Sequence, residues 1–107
     1  MSFYLKQNDT QPNLDATLLT EDGLPVDLSV ASAVRFHMRN AEGTVVVDEA
    51  MIVVDATGGL ARYVWDAADT ATVGAFQAEV EVTFANGKIE TFPNSSYLEV
   101  VITDDIA

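Results

Sequence analysis

The feature that most constrains the fold is a series of short turn signals along the whole chain. Glycine-containing pairs separate the apolar stretches at Asp22-Gly23, Glu42-Gly43, Gly58-Gly59 and Asn86-Gly87. Turns at such short intervals are typical of strands joined by hairpins. Asn86-Gly87 is the sharpest signal, because Asn and Gly tolerate the positive φ values of a two-residue type I′ turn. We therefore predict a hairpin between a strand ending near Ala85 and one beginning at Lys88.

Between the turns, apolar and polar residues alternate with the period of a β-strand. From Ala33 to Arg39 the apolar side chains fall on one face and the charged ones on the other. The same alternation holds from Phe76 to Phe84, from Leu14 to Leu18 and from Leu98 to Ile102. Since successive strand residues point to opposite faces, each segment predicts one buried and one outward face.

Two segments depart from this simple alternation. The stretch 44–54 has consecutive valines, which indicates either two short strands with a bulge near Asp48-Glu49 or one strand covered on both faces. The stretch 66–72 is rich in Ala and begins with Asp66, a good N-cap residue, so we predict one helical turn there. Asp69, Gly74 and Phe76 then mark a crossing from one sheet to the other.

These segments amount to about seven to nine strands in 107 residues. The sequence therefore predicts an all-β protein with an immunoglobulin-like, two-sheet antiparallel β-sandwich and one short helical turn. We expect residues 1–107 to form a single β-sandwich domain, because this length is typical of one hydrophobic core.

Charge and composition exclude several classes of function. The 17 acidic and five basic residues give a net charge of -12, so binding to nucleic acid or to an anionic membrane is not expected. The absence of cysteine removes disulfides and thiolate sites. The N-terminus has no basic and apolar segments of the kind that make a signal peptide.

No residue pattern indicates catalysis or a cofactor. The only histidine, His37, has no orienting carboxylate or nucleophile at a recognisable spacing, so we interpret it as an outward polar residue. The acidic pairs are too small for a calcium loop, and turns, caps and a solvated terminus account for them. A pair of glycosidase carboxylates would need a substrate cleft that a chain of this size is not expected to supply.

The outward row Arg35, His37 and Arg39 is one candidate interaction surface. If its strand lies beside the strand 77–85, Arg35 and Arg39 face Glu79 and Glu81. Such pairs favour the correct register and contribute about 0.2–1 kcal/mol each. The sequence leaves open whether this face only pairs its own charges or also docks a partner.

The aromatic residues suggest two further alternatives. Tyr63 and Trp65 share one face of a strand, where they form either a carbohydrate-stacking platform or, as we favour, part of the core. Phe3, Tyr4 and Leu5 form either an edge strand of the same sheet, which we favour, or a segment inserted into a neighbouring protein.

An ordered series of short segments spans nearly the whole chain. Its main members are Phe3-Tyr4-Leu5-Lys6-Gln7-Asn8-Asp9-Thr10, Asp22-Gly23-Leu24-Pro25-Val26-Asp27-Leu28, Val34-Arg35-Phe36-His37-Met38-Arg39, Phe76-Gln77-Ala78-Glu79 and Thr91-Phe92-Pro93. This series resembles small β-sandwich domains of tailed bacteriophages, namely the N-terminal domain of the baseplate upper protein and the related tail-fibre collar proteins. The chain departs from that family at Asn8, where Gly is expected, and at Phe76, where Tyr is common.

The resemblance implies a non-enzymatic virion structural protein, made in the host bacterial cytoplasm and present in several copies of a symmetric assembly. Its partners would be tail, baseplate or fibre proteins. Because the sequence ends at Ala107, we expect an adaptor or collar subunit that anchors fibres or receptor-binding proteins. A capsid decoration protein is the main alternative and a carbohydrate-binding module a weaker one.

Overall fold

The alternating segments of the sequence all become strands in the computed structural model, which describes residues 2–106. Nine strands and two short 3-10 turns lie in this range. In chain order the strands are β1 (Ser2–Lys6), β2 (Leu14–Thr17), β3 (Ala31–Arg39), β4 (Val45–Ala50), β5 (Ile52–Asp55), β6 (Leu60–Tyr63), β7 (Gly74–Phe84), β8 (Ile89–Phe92) and β9 (Leu98–Thr103). The 3-10 turns are Leu28–Val30 and Ala67–Thr70. No helix among the described residues is long and apolar enough to cross a membrane.

The strands form two sheets of unequal width. The larger sheet has the order β1-β9-β7-β3-β4, with β8 beside the other end of β7, and the smaller one has the order β2-β6-β5. β3 pairs antiparallel with β7, as expected, with His37 opposite Glu79. Arg39 lies opposite Gln77 rather than opposite one of the two glutamates that it was expected to face. The predicted all-β sandwich is therefore confirmed.

The core lies between the two sheets, on the faces that the alternation assigned to it. Val34, Phe36 and Met38 of β3 are buried, as are Phe76, Ala78, Val80 and Val82 of β7. Four aromatic rings meet in the middle: Phe36 stacks on Tyr63 with ring centroids 4.5 Å apart, and Trp65 lies edge-on to both. Phe3 contacts Trp65 from β1. Burial of this much aromatic surface is the main stabilising contribution to such a fold.

One pair of strands is parallel, which the sequence did not predict. β1 pairs with β9 in parallel register, with Phe3 opposite Val100 and Leu5 opposite Ile102. The other strand pairs in residues 2–106 are antiparallel. A parallel pair needs a long connection. Here almost the whole chain lies between the two strands, so no local turn signal could reveal it.

The hairpin at Asn86-Gly87 forms as predicted, but its turn type is different. β7 pairs with β8, and the Phe84 amide donates to the Lys88 carbonyl while the Gly87 amide donates to the Phe84 carbonyl. Within this loop only Gly87 has a positive φ, of 85°. The loop is therefore a three-residue type I turn with Gly87 in the left-handed position, rather than a type I′ turn.

The stretch 44–54 forms two strands, in agreement with one of the two predicted alternatives. β4 ends at Ala50 in the larger sheet, and β5 begins at Ile52 in the smaller one. The buried side chain of Met51 lies at the crossing. The bulge is not at Asp48-Glu49 but at Val46, because Met38 lies opposite Val47 while Arg39 lies opposite Val45.

The predicted helical turn is a 3-10 turn that carries the chain from β6 to β7. The Asp66 side chain accepts from the Ala68 amide, and the Asp69 side chain accepts from the Asp66 amide at 2.9 Å. Together they form a capping box. The Tyr63 hydroxyl also donates to Asp69, at 2.5 Å. Burial, together with this hydrogen bond, raises the pKa of Tyr63 well above its usual value.

Candidate functional site

The outward side chains of β3 lie between β4 and β7 and form a polar face on the larger sheet. We use the term polar face for six residues, which are Arg35, His37, Arg39, Asp48, Glu79 and Tyr97. Its centre is the predicted row of Arg35, His37 and Arg39, and all three are half-buried by their neighbours. The sequence placed this row correctly on one face.

Arg35 is held by β4 rather than by the acidic residues of β7. Its Nε donates to the Asp48 carboxylate at 2.9 Å and its Nη2 donates to the Asp48 carbonyl at 2.7 Å. The guanidinium keeps the pKa of Asp48 below its usual value. The expected pairing of Arg35 with Glu79 or Glu81 is therefore corrected: Glu81 is its Cα neighbour on β7, but the hydrogen bonds go to Asp48.

His37 lies between two carboxylates on opposite strands. Its Nε2 is 3.2 Å from an oxygen of Asp48, and its Nδ1 is 3.7 Å from an oxygen of Glu79. The residues around the adjoining depression include no serine, threonine or cysteine whose hydroxyl or thiol group this histidine could activate. The arrangement is that of a cross-strand charge cluster, which ties β4, β3 and β7 together.

Arg39 is the least engaged cation of the row. Its Nε donates to the Gln77 side chain at 2.9 Å, and its guanidinium lies 4.7 Å from the centre of the Tyr97 ring. Tyr97 remains 46% exposed, and a shallow depression of about 220 Å³ separates it from His37 and Asp48. Sequence reasoning missed Tyr97, because it lies in an irregular connection where no periodicity assigns a face. Of the six residues of the polar face, Arg39 and Tyr97 are therefore the two that take no part in its ion pairs.

The N-terminal candidates separate into one exposed and two packed residues. Leu5 is 4% exposed and belongs to the core, and Phe3 packs on Trp65. Tyr4 is 66% exposed. β1 therefore lies in its own sheet, and of these three candidates only Tyr4 presents its side chain to solvent.

The pair Tyr63 and Trp65 offers no exposed platform. The two residues are 4% and 3% exposed, and their rings are packed against Phe36. The core interpretation of these aromatics is confirmed, and the stacking surface that carbohydrate binding would require is not formed by them. Among residues 2–106, no group of three or more His, Asp or Glu side chains is placed to hold a metal ion.

A second surface feature is a cleft between the two sheets, which the sequence did not predict. Its volume is about 480 Å³. On one side it is lined by six consecutive residues, from Leu14 to Leu19, and on the other by parts of β1, β7, β8 and β9. Most of the side chains that line it are apolar.

Comparison with known proteins decides the family. The family model described as the BppU N-terminal domain matches residues 3–104, which is nearly the whole chain. The chain belongs to this family. BppU is the baseplate upper protein of bacteriophages, and membership of the BppU N-terminal family makes this chain a baseplate-associated structural protein of the phage virion, where it contacts other virion proteins.

The BppU-type fold is also found in a protein of unrelated sequence. The crystal structure of CopC from Methylosinus trichosporium OB3b superposes with a TM-score of 0.59 at 10% identity, over 97% of this chain and 85% of that one. At this identity the likeness concerns the fold alone. No curated protein matches the chain significantly in sequence.

Proposed function

We propose that this domain is a non-enzymatic adaptor or collar subunit of the phage baseplate, which anchors fibres or receptor-binding proteins to the tail. The observation that carries the proposal is the BppU N-terminal match over residues 3–104. It favours the baseplate over the capsid. Residues 1–107 act as one domain, and several copies are arranged symmetrically around the tail. Synthesis takes place in the cytoplasm of the host bacterium.

The surface that best fits a virion partner is formed by Arg39 and Tyr97, the two residues of the polar face outside its ion pairs. Tyr and Arg are enriched among the residues that dominate binding energy, because they combine a large contact area with polar groups. Here the guanidinium lies against the ring, so little side-chain entropy would be lost on binding. Arg35 and His37 serve instead to hold β3 and its neighbours in register.

Deletion of the coding sequence from the phage genome tests the function. We expect particles with filled capsids and tails but with an incomplete baseplate in electron micrographs, together with a loss of adsorption to host cells. Intact baseplates on the deletion particles, or damaged capsids with intact tails, would contradict the proposal. Quantitative mass spectrometry of wild-type virions should give a copy number on the scale of a tail ring, about a dozen, rather than the hundreds typical of a capsid.

Complementation of the deletion with variants tests the docking surface. The double variant Arg39→Gln, Tyr97→Ser should restore baseplates poorly, although the isolated protein melts within a few degrees of the wild type. The matched control is Lys6→Gln, Tyr4→Ser, which removes the same charge and the same ring from the exposed side of β1. If the control fails to restore baseplates while the first variant succeeds, the docking surface lies at β1 instead.

A further inference from the structure

The cleft arises because the two sheets differ in width. The larger sheet is five strands across, whereas only β2, β6 and β5 lie in the smaller one. β5 lies on the side where the chain crosses from β4, so the sheets end together there. On the side of β2 the larger sheet extends further, under the cleft. The space beside β2 is the position that a fourth strand of the smaller sheet would occupy.

No strand within residues 2–106 pairs with the edge of β2 that borders the cleft. The Leu18 amide donates to the Gly59 carbonyl, so in the antiparallel ladder with β6 the alternate residues Leu14 and Ala16 direct their backbone groups to β6. Asp15 and Thr17 therefore direct their N–H and C=O groups outward. Unpaired groups of this kind on an edge strand readily pair with another extended chain.

The walls and floor of the cleft match the side chains of such a strand. Val80 and Phe92 form its floor, and the half-buried Phe3 and Leu98 face it from the larger sheet. An added strand would direct every second side chain onto these apolar groups. The opposite side chains would point to solvent.

We propose that the cleft binds an extended segment of another virion protein, which pairs with β2 as a fourth strand of the smaller sheet. The inference rests on the proposed function only for the source of the segment. The backbone pairing supplies affinity, and the apolar positions over Phe92 and Leu98 supply specificity.

The charged residues of the cleft indicate which side chains the bound segment carries. The charged residues that line the cleft are Asp15 and Glu99, both acidic. Arg62 neutralises Asp15 through two hydrogen bonds, whereas the Glu99 carboxylate accepts, within residues 2–106, a hydrogen bond only from the neutral Ser2 hydroxyl. The segment therefore carries alternating apolar residues and a Lys or Arg near Glu99. A second copy of this chain is a poor occupant, because two molecules of charge -12 repel each other.

The test is a displayed library of random linear peptides, selected on the wild-type protein and counter-selected on Thr17→Pro. Proline removes the outward Thr17 amide but is tolerated on a strand edge, and Thr17→Val is the control that keeps this amide. We expect the enriched peptides to alternate apolar and polar residues and to contain Lys or Arg. Their affinity should fall about tenfold in Thr17→Pro, the effect of one lost backbone pairing, and should be unchanged in Thr17→Val.

Two further measurements guard against a variant that is merely misfolded. Glu99→Lys should lower the affinity by about threefold, as expected for an exposed ion pair, while Glu42→Lys, which makes the same charge change on the distant β3–β4 loop, should leave it unchanged. On the wild type, peptide binding should slow hydrogen exchange of the Asp15 and Thr17 amides.

The proposal is overturned if no peptide prefers the wild type to Thr17→Pro, or if bound peptides leave those two amides unprotected. Failure here leaves the baseplate role intact, because the deletion phage tests that role without reference to the cleft. Conversely, complete baseplates on the deletion particles would contradict the baseplate role even if peptides bind the cleft.

Discussion

Asn8 and Gly59 both have a left-handed backbone conformation, which restricts the residue types that fit at these positions. Asn8 has a φ of 66°, and it occupies the position where the family resemblance implies glycine. Asn tolerates this conformation better than other residues with a side chain. The backbone N–H of Asn8 donates a hydrogen bond to the Thr70 carbonyl at 2.9 Å. Asn in place of Gly therefore keeps the hydrogen bond that joins the end of β1 to the 3-10 turn Ala67–Thr70.

Among the glycines, Gly59 is the one whose substitution should be most damaging. It has a φ of 69°, and a Cβ there would lie 2.7 Å from the Leu18 carbonyl oxygen and 3.0 Å from Val26 backbone atoms. We expect Gly59→Ala to lower the free energy of unfolding by about 3 kcal/mol. The left-handed backbone accounts for about 1 kcal/mol of this loss and the steric clash for about 2 kcal/mol. Chemical denaturation measures the loss.

The matched control for this substitution is Gly43→Ala. Gly43 has a φ of 87°, but nothing lies within 4 Å of its missing Cβ, so only the backbone cost of about 1 kcal/mol applies. Equal losses for the two variants would show that the contact with Leu18 and Val26 does not matter.

Tyr63 should make the protein sensitive to alkaline pH. Its pKa is raised in the folded state, so its contribution to stability is complete well below about pH 10, the pKa of an unfolded tyrosine. The contribution is lost as the pH rises through and above this value. We expect the melting temperature to fall more steeply between pH 9 and about pH 11 in the wild type than in Tyr63→Phe. At pH 7 the variant should be about 1–2 kcal/mol less stable, because the bond to Asp69 is lost. Parallel pH profiles for the two proteins would contradict the assignment.

At the scale of elements, β1 combines a packed face and an exposed one. Leu5 is buried and Tyr4 beside it is 66% exposed. We expect Leu5→Ala to lower the free energy of unfolding by about 2–4 kcal/mol, and Tyr4→Ala by less than about 0.5. Thermal unfolding of both variants measures the difference. A small loss for Leu5→Ala would revive the idea that β1 is displaced into a neighbour.

The strand pairing explains why the charge cluster was only partly predictable. Alternation placed Arg35, His37 and Arg39 on one face, and the neighbouring strand β7 was identified correctly. The partner Asp48 was not, because its position depends on the bulge at Val46, and one extra residue changes which side chains meet across two strands. A register set by a bulge leaves no periodic signal in the sequence.

At the scale of the whole molecule, the charge of -12 acts on folding as well as on partners. Like charges on a compact protein repel one another, and salt screens this repulsion. We therefore expect the melting temperature to rise by a few degrees between low and high ionic strength. The variant Asp22→Lys, Glu42→Lys changes two exposed loop residues, reduces the net charge from -12 to -8, and should show a smaller rise. An equal rise in both proteins would indicate that self-repulsion is negligible.

The sequence by itself determined the all-β sandwich, the hairpin positions and the family, because these depend on local turn chemistry, a period of two and an ordered series of residues. Only the tertiary structure decided that β1 and β9 lie side by side, that Tyr97 joins Arg39 on the polar face and that a cleft opens beside β2. Each of these results depends on contacts between distant segments or on the relative width of the two sheets. No local pattern encodes such relations, since they arise only when the whole chain packs.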